Sequence, residues 1–264
     1  VMKHARAQGL TVIARMGYTP DWARPPDTPL AYLAPDAYAD YAAFAAAFAE
    51  RYRQDVSAII IGNEPNLSLE WGYRQTAAAD YVELLTAVYP QIKAVAPDML
   101  VLGGALAPTL EPKESPHGTD DLVYLRELYE AGAMAYWDGL AVHSYGRTFP
   151  PETEPSPGVI NFRRVELLRD IMLEFGDGER DMYITEMGWN DHPRWTQAVR
   201  PSVRMQYTLD AFALAEEWDF VKLTAVWQFR TPAPTKSYMD YYSLVTPEFV
   251  NKPIYEAIKE YTGN

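Results

Sequence analysis

The sequence predicts an α/β fold on one parallel sheet, of (β/α)-barrel type, and two observations carry that expectation. Short apolar runs alternate with segments of helical period over nearly the whole chain, as when parallel strands are each followed by a covering helix. The connections are also unequal. Those leading from helix into strand are short, such as "RQDVS" (53–57) and "APD" (96–98), whereas those leaving the strands, over 18–35, 107–119, 145–160 and 229–252, are long and rich in Pro and aromatics. In barrels such elaboration belongs to the C-terminal face of the strands, where active sites are built. A doubly wound open sheet is the alternative, but its Gly-rich phosphate turn is missing: neither G-x-G-x-x-G nor a Walker sequence occurs.

The elements follow in order. "VMKHARAQGL" reads as the end of a helix, stopped by Gly9 in the C′ role. "LTVIARMG" is a strand, then a Pro-rich loop leads to "DAYADYAAFAAAFAERY", where Tyr38, Tyr41, Phe44, Phe48 and Tyr52 recur at helical spacing and Asp36 is the expected N-cap. "AIII" (58–61), closed by Gly62, has no polar alternation, as in a strand buried on both faces, and a helix follows over 76–95. "MLVLGGAL" precedes a helix over 120–131, and Gly103-Gly104 within it marks close backbone packing. "DGLAVHSY" precedes a helix over 161–174, "DMYITEM" one over 201–217, and "VKLTAVWQF" leads to the closing helix "KPIYEAIKEY". Nothing resembles a linker, so residues 1–264 read as a single domain.

Composition excludes several function classes. A formal net charge of -13 argues against nucleic acid or an anionic membrane as partner, because binding phosphates needs concentrated Lys and Arg. No apolar run approaches the ~20 residues of a membrane span. With no cysteine there is no disulfide framework, thiol nucleophile or Cys-ligated metal, and the compartment stays open, an extracytoplasmic one being slightly favoured. Aromatics reach 13%, with 7 Trp and 19 Tyr, a surplus that suits stacking on a neutral sugar and equally suits core filling. Only His4, His117, His143 and His192 are present, and none has the spacing H-x-H or H-E-x-x-H, so a metal-dependent hydrolase is a poor reading and no metal is expected.

Function should sit where the strands end. "AIIIGNEPN" and "YITEMGWN" each bring a carboxylate, Glu64 and Glu186, to the end of an apolar strand, where an ionised group is costly without a task or a partner. Two strand-end glutamates facing one barrel mouth are what glycosidic-bond cleavage requires, one to protonate the leaving oxygen and one to attack the anomeric carbon. Their neighbours have matching parts. Asn63 is placed to donate to a sugar 2-hydroxyl, Tyr145 to hold Glu186 by its phenol, His143 to line the same subsite and Trp227 to form the floor under a ring. Trp22 and Trp189 are further candidates for sugar contact, against loop packing as the plain alternative. Arg15 reads as a charge partner in the barrel interior.

"GNEPN", "VHSYG", "ITEMGW" and the Trp-bearing last strand, in that order, together resemble glycoside hydrolase clan A, retaining enzymes on (β/α)₈ barrels whose two glutamates come from the fourth and seventh strands. The run from "GNEPNLSLEWGYRQ" to "MLVLGGAL" is most similar to bacterial members of family 39. The resemblance implies Glu64 as acid/base and Glu186 as nucleophile, with Asn63, His143, Tyr145 and Trp227 in support, a carbohydrate substrate, and no cofactor. Aligned so, the first strand here is the family's third. The expectation is a (β/α)₈ TIM barrel lacking its first two β/α units, which a missing N-terminal segment of about 60 residues or more, at roughly 30 per unit, or a partner chain would supply to close the barrel. The competing expectation is a catalytically inactive carbohydrate-binding barrel or an inactive fragment of such an enzyme.

Overall fold

The computed structural model describes residues 1–29, 31–234 and 236–263. Among them α1 (Met2–Ala7), β1 (Ile13–Met16), α2 (Tyr38–Tyr52), β2 (Ala58–Ile61), α3 (Ala78–Val95), β3 (Leu100–Leu106), α4 (Asp121–Glu130), β4 (Gly139–Tyr145), α5 (Arg164–Glu174), β5 (Met182–Gly188), α6 (Pro201–Glu216), β6 (Val221–Val226) and α7 (Pro253–Tyr261) follow in sequence. Every strand and helix expected from the periodicity is present, and short 3₁₀ turns at Asp21–Ala23, Pro35–Ala37, Ala133–Tyr136 and Tyr238–Tyr242 are added.

Two compact units share this chain: residues 1–141 with 170–181, and residues 142–169 with 182–264. In the first, β1, β2, β3 and the start of β4 succeed one another in the sheet; in the second, the end of β4, β5 and β6 do. The β1/β2, β2/β3 and β5/β6 pairings are all parallel. Parallel strands in chain order, each followed by a helix, have the connectivity of part of a (β/α) barrel.

The first unit's core forms around β2, whose four residues are all buried, as the uninterrupted apolar run requires. Tyr81 of α3 ties the strand ends together: its hydroxyl donates to the Ile61 carbonyl at 2.6 Å and accepts from the Gly104 amide at 3.1 Å. The Gly103-Gly104 pair is explained by close approach, since a Cβ at Gly103 would lie 2.4 Å from the Trp137 ring and one at Gly104 2.8 Å from the Ala141 carbonyl oxygen. Gly9 follows α1 in the left-handed conformation, φ 71°, with its amide on Arg6, and so ends the helix as expected. Asp36 departs from expectation. Pro35 opens a 3₁₀ turn that runs into α2, so Asp36 sits inside the turn, and Ala37, with no side-chain bond, is the N-cap. No helix of the described residues is long and apolar enough to cross a membrane.

Candidate active site

The expected site residues fall into two groups, one in each unit. In the first, β2 runs out at Ile61 and the chain turns through Gly62 (φ 75°) and Glu64 (φ 41°). A glutamate in the left-handed region is strained by roughly 1 to 3 kcal/mol and persists only where the surroundings over-determine it. Here its amide donates to the Ala105 carbonyl at the end of β3 (3.1 Å) and its carbonyl accepts from Leu67 (2.8 Å). Asn66 is the anchor. It is wholly buried, its amide nitrogen donates to the carbonyls of Ala107 (2.9 Å) and Thr119 (3.1 Å), and its side-chain oxygen accepts from the Ala107 amide (2.9 Å). The strand-end carboxylate is therefore mounted on a turn bolted to the next strand.

Asn66→Ala leaves a buried amide and two carbonyls without partners, at about 1 to 3 kcal/mol for an unsatisfied group. The expected loss is about 2 to 4 kcal/mol of unfolding free energy in urea titration. A loss well under ~1 kcal/mol, the size of a net ordinary hydrogen bond, would mean that the anchor carries little.

Asn63 is bound at both ends of its amide: the oxygen accepts from Arg15 Nη1 at 2.6 Å and the nitrogen donates to Glu70 Oε1 at 3.0 Å. Trp22 is 71% exposed on its 3₁₀ turn, so its ring is open to a ligand.

In the second unit Glu186 is aimed by a bulge. Ile184 pairs with Thr224 and Met187 with Val226, three residues forward on β5 against two on β6, so one extra residue is accommodated at Thr185–Glu186. The Tyr145 hydroxyl at the end of β4 donates to Glu186 Oε2 at 2.6 Å, and Nδ1 of the buried His143 lies 3.6 Å from the same oxygen. Tyr145 is held edge-on by Trp227 (centroids 6.4 Å apart) and Tyr242 (5.4 Å), and those two meet edge-on at 5.2 Å. Trp227 stands just beyond β6, its amide on the Met187 carbonyl at 2.9 Å, and is joined to Gln228 by a cis peptide. A carboxylate gripped on one oxygen by a phenol and flanked by an aromatic corner is oriented for nucleophilic attack or base chemistry.

Trp189 does something different from Trp22. It is 1% exposed, its indole N–H donates to the Phe149 carbonyl at 2.9 Å, and its ring packs on Phe162 and Tyr207. In this position its contribution is packing behind the site. Gly146 makes room for it, because a Cβ there would fall 2.0 Å from the indole. Gly146→Ala, forced against a rigid buried ring, is expected to cost about 3 kcal/mol or more of stability, at or beyond the upper end of ordinary overpacking. Thermal or chemical denaturation would show it, and an unshifted midpoint would mean that the ring moves aside freely.

Tyr242 and Arg204 lay beyond the sequence reading. Tyr242 belongs to the 3₁₀ turn Tyr238–Tyr242 within a long loop, and burial pushes its phenol up to about 12 despite the opposing charge of Arg147. Arg204, 1% exposed on α6, donates to the carbonyls of Tyr242 and Ser243 and to Asp191 Oδ2 (3.1 Å), so a buried cation fixes the loop that brings Tyr242 to Tyr145. Burial lowers the pKa of that guanidinium and Asp191 opposes the shift. Asn66 sat in the motif and was readable as a polar residue at a strand end; Tyr242 and Arg204 had no periodic signal.

No family model and no curated protein matches the sequence. Solved structures do. A family 39 glycoside hydrolase from the gut symbiont Bacteroides cellulosilyticus superposes with a TM-score of 0.72 over 97% of this chain and 51% of its own, at 20% identity. A family 39 β-xylosidase from Caulobacter crescentus gives 0.69 over 99% of this chain and 56% of its own, also at 20% identity. The fold is that of glycoside hydrolases. A glucosidase from Croceicoccus marinus extends the likeness, with a TM-score of 0.73 at 14% identity over 99% of this chain and 51% of its own. The chain thus spans about half the length of these enzymes.

Proposed function

We propose that this chain carries the active site of a retaining glycoside hydrolase acting on an oligo- or polysaccharide by double displacement. Glu64 protonates the leaving oxygen as the glycosidic bond breaks, while Glu186 attacks the anomeric carbon to form a covalent glycosyl ester. Glu64 then takes a proton from the water that cleaves that ester. Asn63 donates to the sugar 2-hydroxyl, His143 and Tyr145 hold the nucleophile's end of the site, and Trp227 and Trp22 offer faces to sugar rings. The observation that carries the reading is Glu186 at its strand-end bulge, gripped by Tyr145, whose ring Trp227 holds edge-on. The shared fold of the solved glycoside hydrolases supports it.

The test is a panel of aryl glycosides and polysaccharides followed by proton NMR of the first product formed. Hydrolysis with the anomeric configuration retained is expected. An inverted first product would overturn the mechanism, and sugar binding without turnover would favour a carbohydrate-binding barrel instead.

A further inference from the structure

Asn63 carries the chemically ambiguous end of the candidate site, since an amide presents an acceptor or a donor to a ligand according to which way it is turned. In the first unit both choices are already made by charge. Arg15 Nη1 can only donate, and it donates to the Asn63 oxygen; the Glu70 carboxylate accepts from the Asn63 nitrogen. Turning the amide over would set N–H against guanidinium and oxygen against carboxylate, replacing two charge-assisted hydrogen bonds with two repulsions. One orientation is thereby selected, with the oxygen toward Arg15 and a second amide hydrogen remaining on the nitrogen.

Both partners stand on fixed supports. Arg15 is in β1, paired opposite Ile60 of β2. Glu70 is followed by Trp71, buried and wedged edge-on against Tyr32 (6.1 Å) and Tyr81 (6.3 Å), and its own amide is bonded to the Leu67 carbonyl at 3.1 Å. Arg15, Asn63 and Glu70 line one open pocket of about 240 Å³ with Tyr18, Pro29 and Leu69 as its less polar walls, next in the chain to Glu64.

We propose that Arg15 and Glu70 are positioning residues that lock Asn63 as a hydrogen-bond donor, so that this pair sets the preference for a sugar bearing a hydroxyl at the position Asn63 reaches. The proposal rests on the glycosidase reading above and adds to it the residues that fix the polarity of that contact. Neither residue is assigned a part in making or breaking the glycosidic bond. Their effect passes through Asn63 and therefore depends on whether the substrate has the hydroxyl.

The experiment compares kcat/KM on an aryl glycoside with that on its 2-deoxy counterpart. Glu70→Ala is expected to lower the value about tenfold or more on the parent glycoside, and about threefold or less on the 2-deoxy compound, because only the former uses the oriented amide. Glu70→Gln, whose side-chain oxygen still accepts from Asn63, should recover most of the loss. Adding Asn63→Ala to Glu70→Ala should cost little more than either alone, as for two residues acting as one unit. Equal losses on both substrates, or Gln as damaging as Ala, would overturn the proposal.

A second readout needs no turnover. The two Nδ2 protons of Asn63 should give resolved, slowly exchanging NMR signals in the unaltered protein, and exchange should quicken about tenfold or more in Glu70→Ala and in Arg15→Met. If the protein cleaves no glycoside, the proposed function fails and this signal alone judges the lock: unchanged exchange in both variants overturns it. If Glu70→Ala does not fold, Arg15→Met and Glu70→Gln decide by the same signal.

Discussion

Glu186→Ala is expected to abolish turnover of every substrate, by a factor on the order of 10⁴ or more, because without the carboxylate no covalent glycosyl intermediate can form. The reason is local. Tyr145 and His143 are arranged around one oxygen of this side chain, and the β5 bulge gives it the direction it has. An alanine leaves both neighbours facing a gap that water fills, and water there cannot form the glycosyl ester of the first step. The loss should be as complete on substrates with activated leaving groups as on unactivated ones, since attack on the anomeric carbon is common to all. Steady-state kinetics on a dinitrophenyl glycoside and on an oligosaccharide would check it, together with circular dichroism to show that the variant is folded. Appreciable cleavage of the activated substrate by a folded Glu186→Ala protein would remove Glu186 from the role of nucleophile.

Replacing Glu64 should produce a different failure. In Glu64→Ala the proposed nucleophile, Glu186, is intact, so substrates whose leaving groups need little protonation should still form the glycosyl ester, while unactivated substrates should fall by a factor on the order of 10² to 10⁴, the usual contribution of a general acid. Hydrolysis of the ester should then stall, because in the proposed mechanism the same residue serves as base toward water. Added azide needs no base: its nitrogen attacks the anomeric carbon, the bond to Glu186 breaks, and a glycosyl azide of retained configuration is released. Product analysis by NMR with and without azide would show it. Equal cleavage of activated and unactivated substrates by Glu64→Ala would mean that Glu64 is not the acid and that its carboxylate at the end of β2 has some other task.

These two substitutions also separate function from architecture. The turn that carries Glu64 is held by its own backbone and by the buried amide of Asn66, so truncating the glutamate side chain leaves the mount in place. Asn66→Ala does the reverse, loosening the mount while sparing the Glu64 carboxyl group. A fall in stability for Asn66→Ala, set beside little change for Glu64→Ala, would show that the motif divides its labour between the two residues.

Periodicity alone made the six strands and their helices legible, because an apolar run of four with no alternation, such as Ala58–Ile61, can be buried only where helices cover both faces of a sheet. The long loops leaving those strands pointed to the C-terminal face, and the two glutamates and Asn63 were found because a carboxylate or amide closing such a run is anomalous in composition itself. Tertiary structure decided the rest. The spacing that predicts α2 also made Asp36 a cap, but Pro35 starts the turn earlier, and a proline's fixed φ outweighs a side-chain bond that never forms. Trp22 and Trp189 look alike as loop tryptophans, yet one stands open to solvent and the other fills the space that Gly146 leaves, a difference set by which residue lies across the gap and not by neighbours in sequence. Arg204 and Tyr242, far apart in the chain, meet because Nη2 of the buried guanidinium donates to the Tyr242 and Ser243 carbonyls, which belong to the loop that brings Tyr242 to Tyr145. Residue type and local period determine which elements form and which polar groups are out of place; the direction each group takes depends on contacts between elements distant in sequence, and these exist only once the chain is folded.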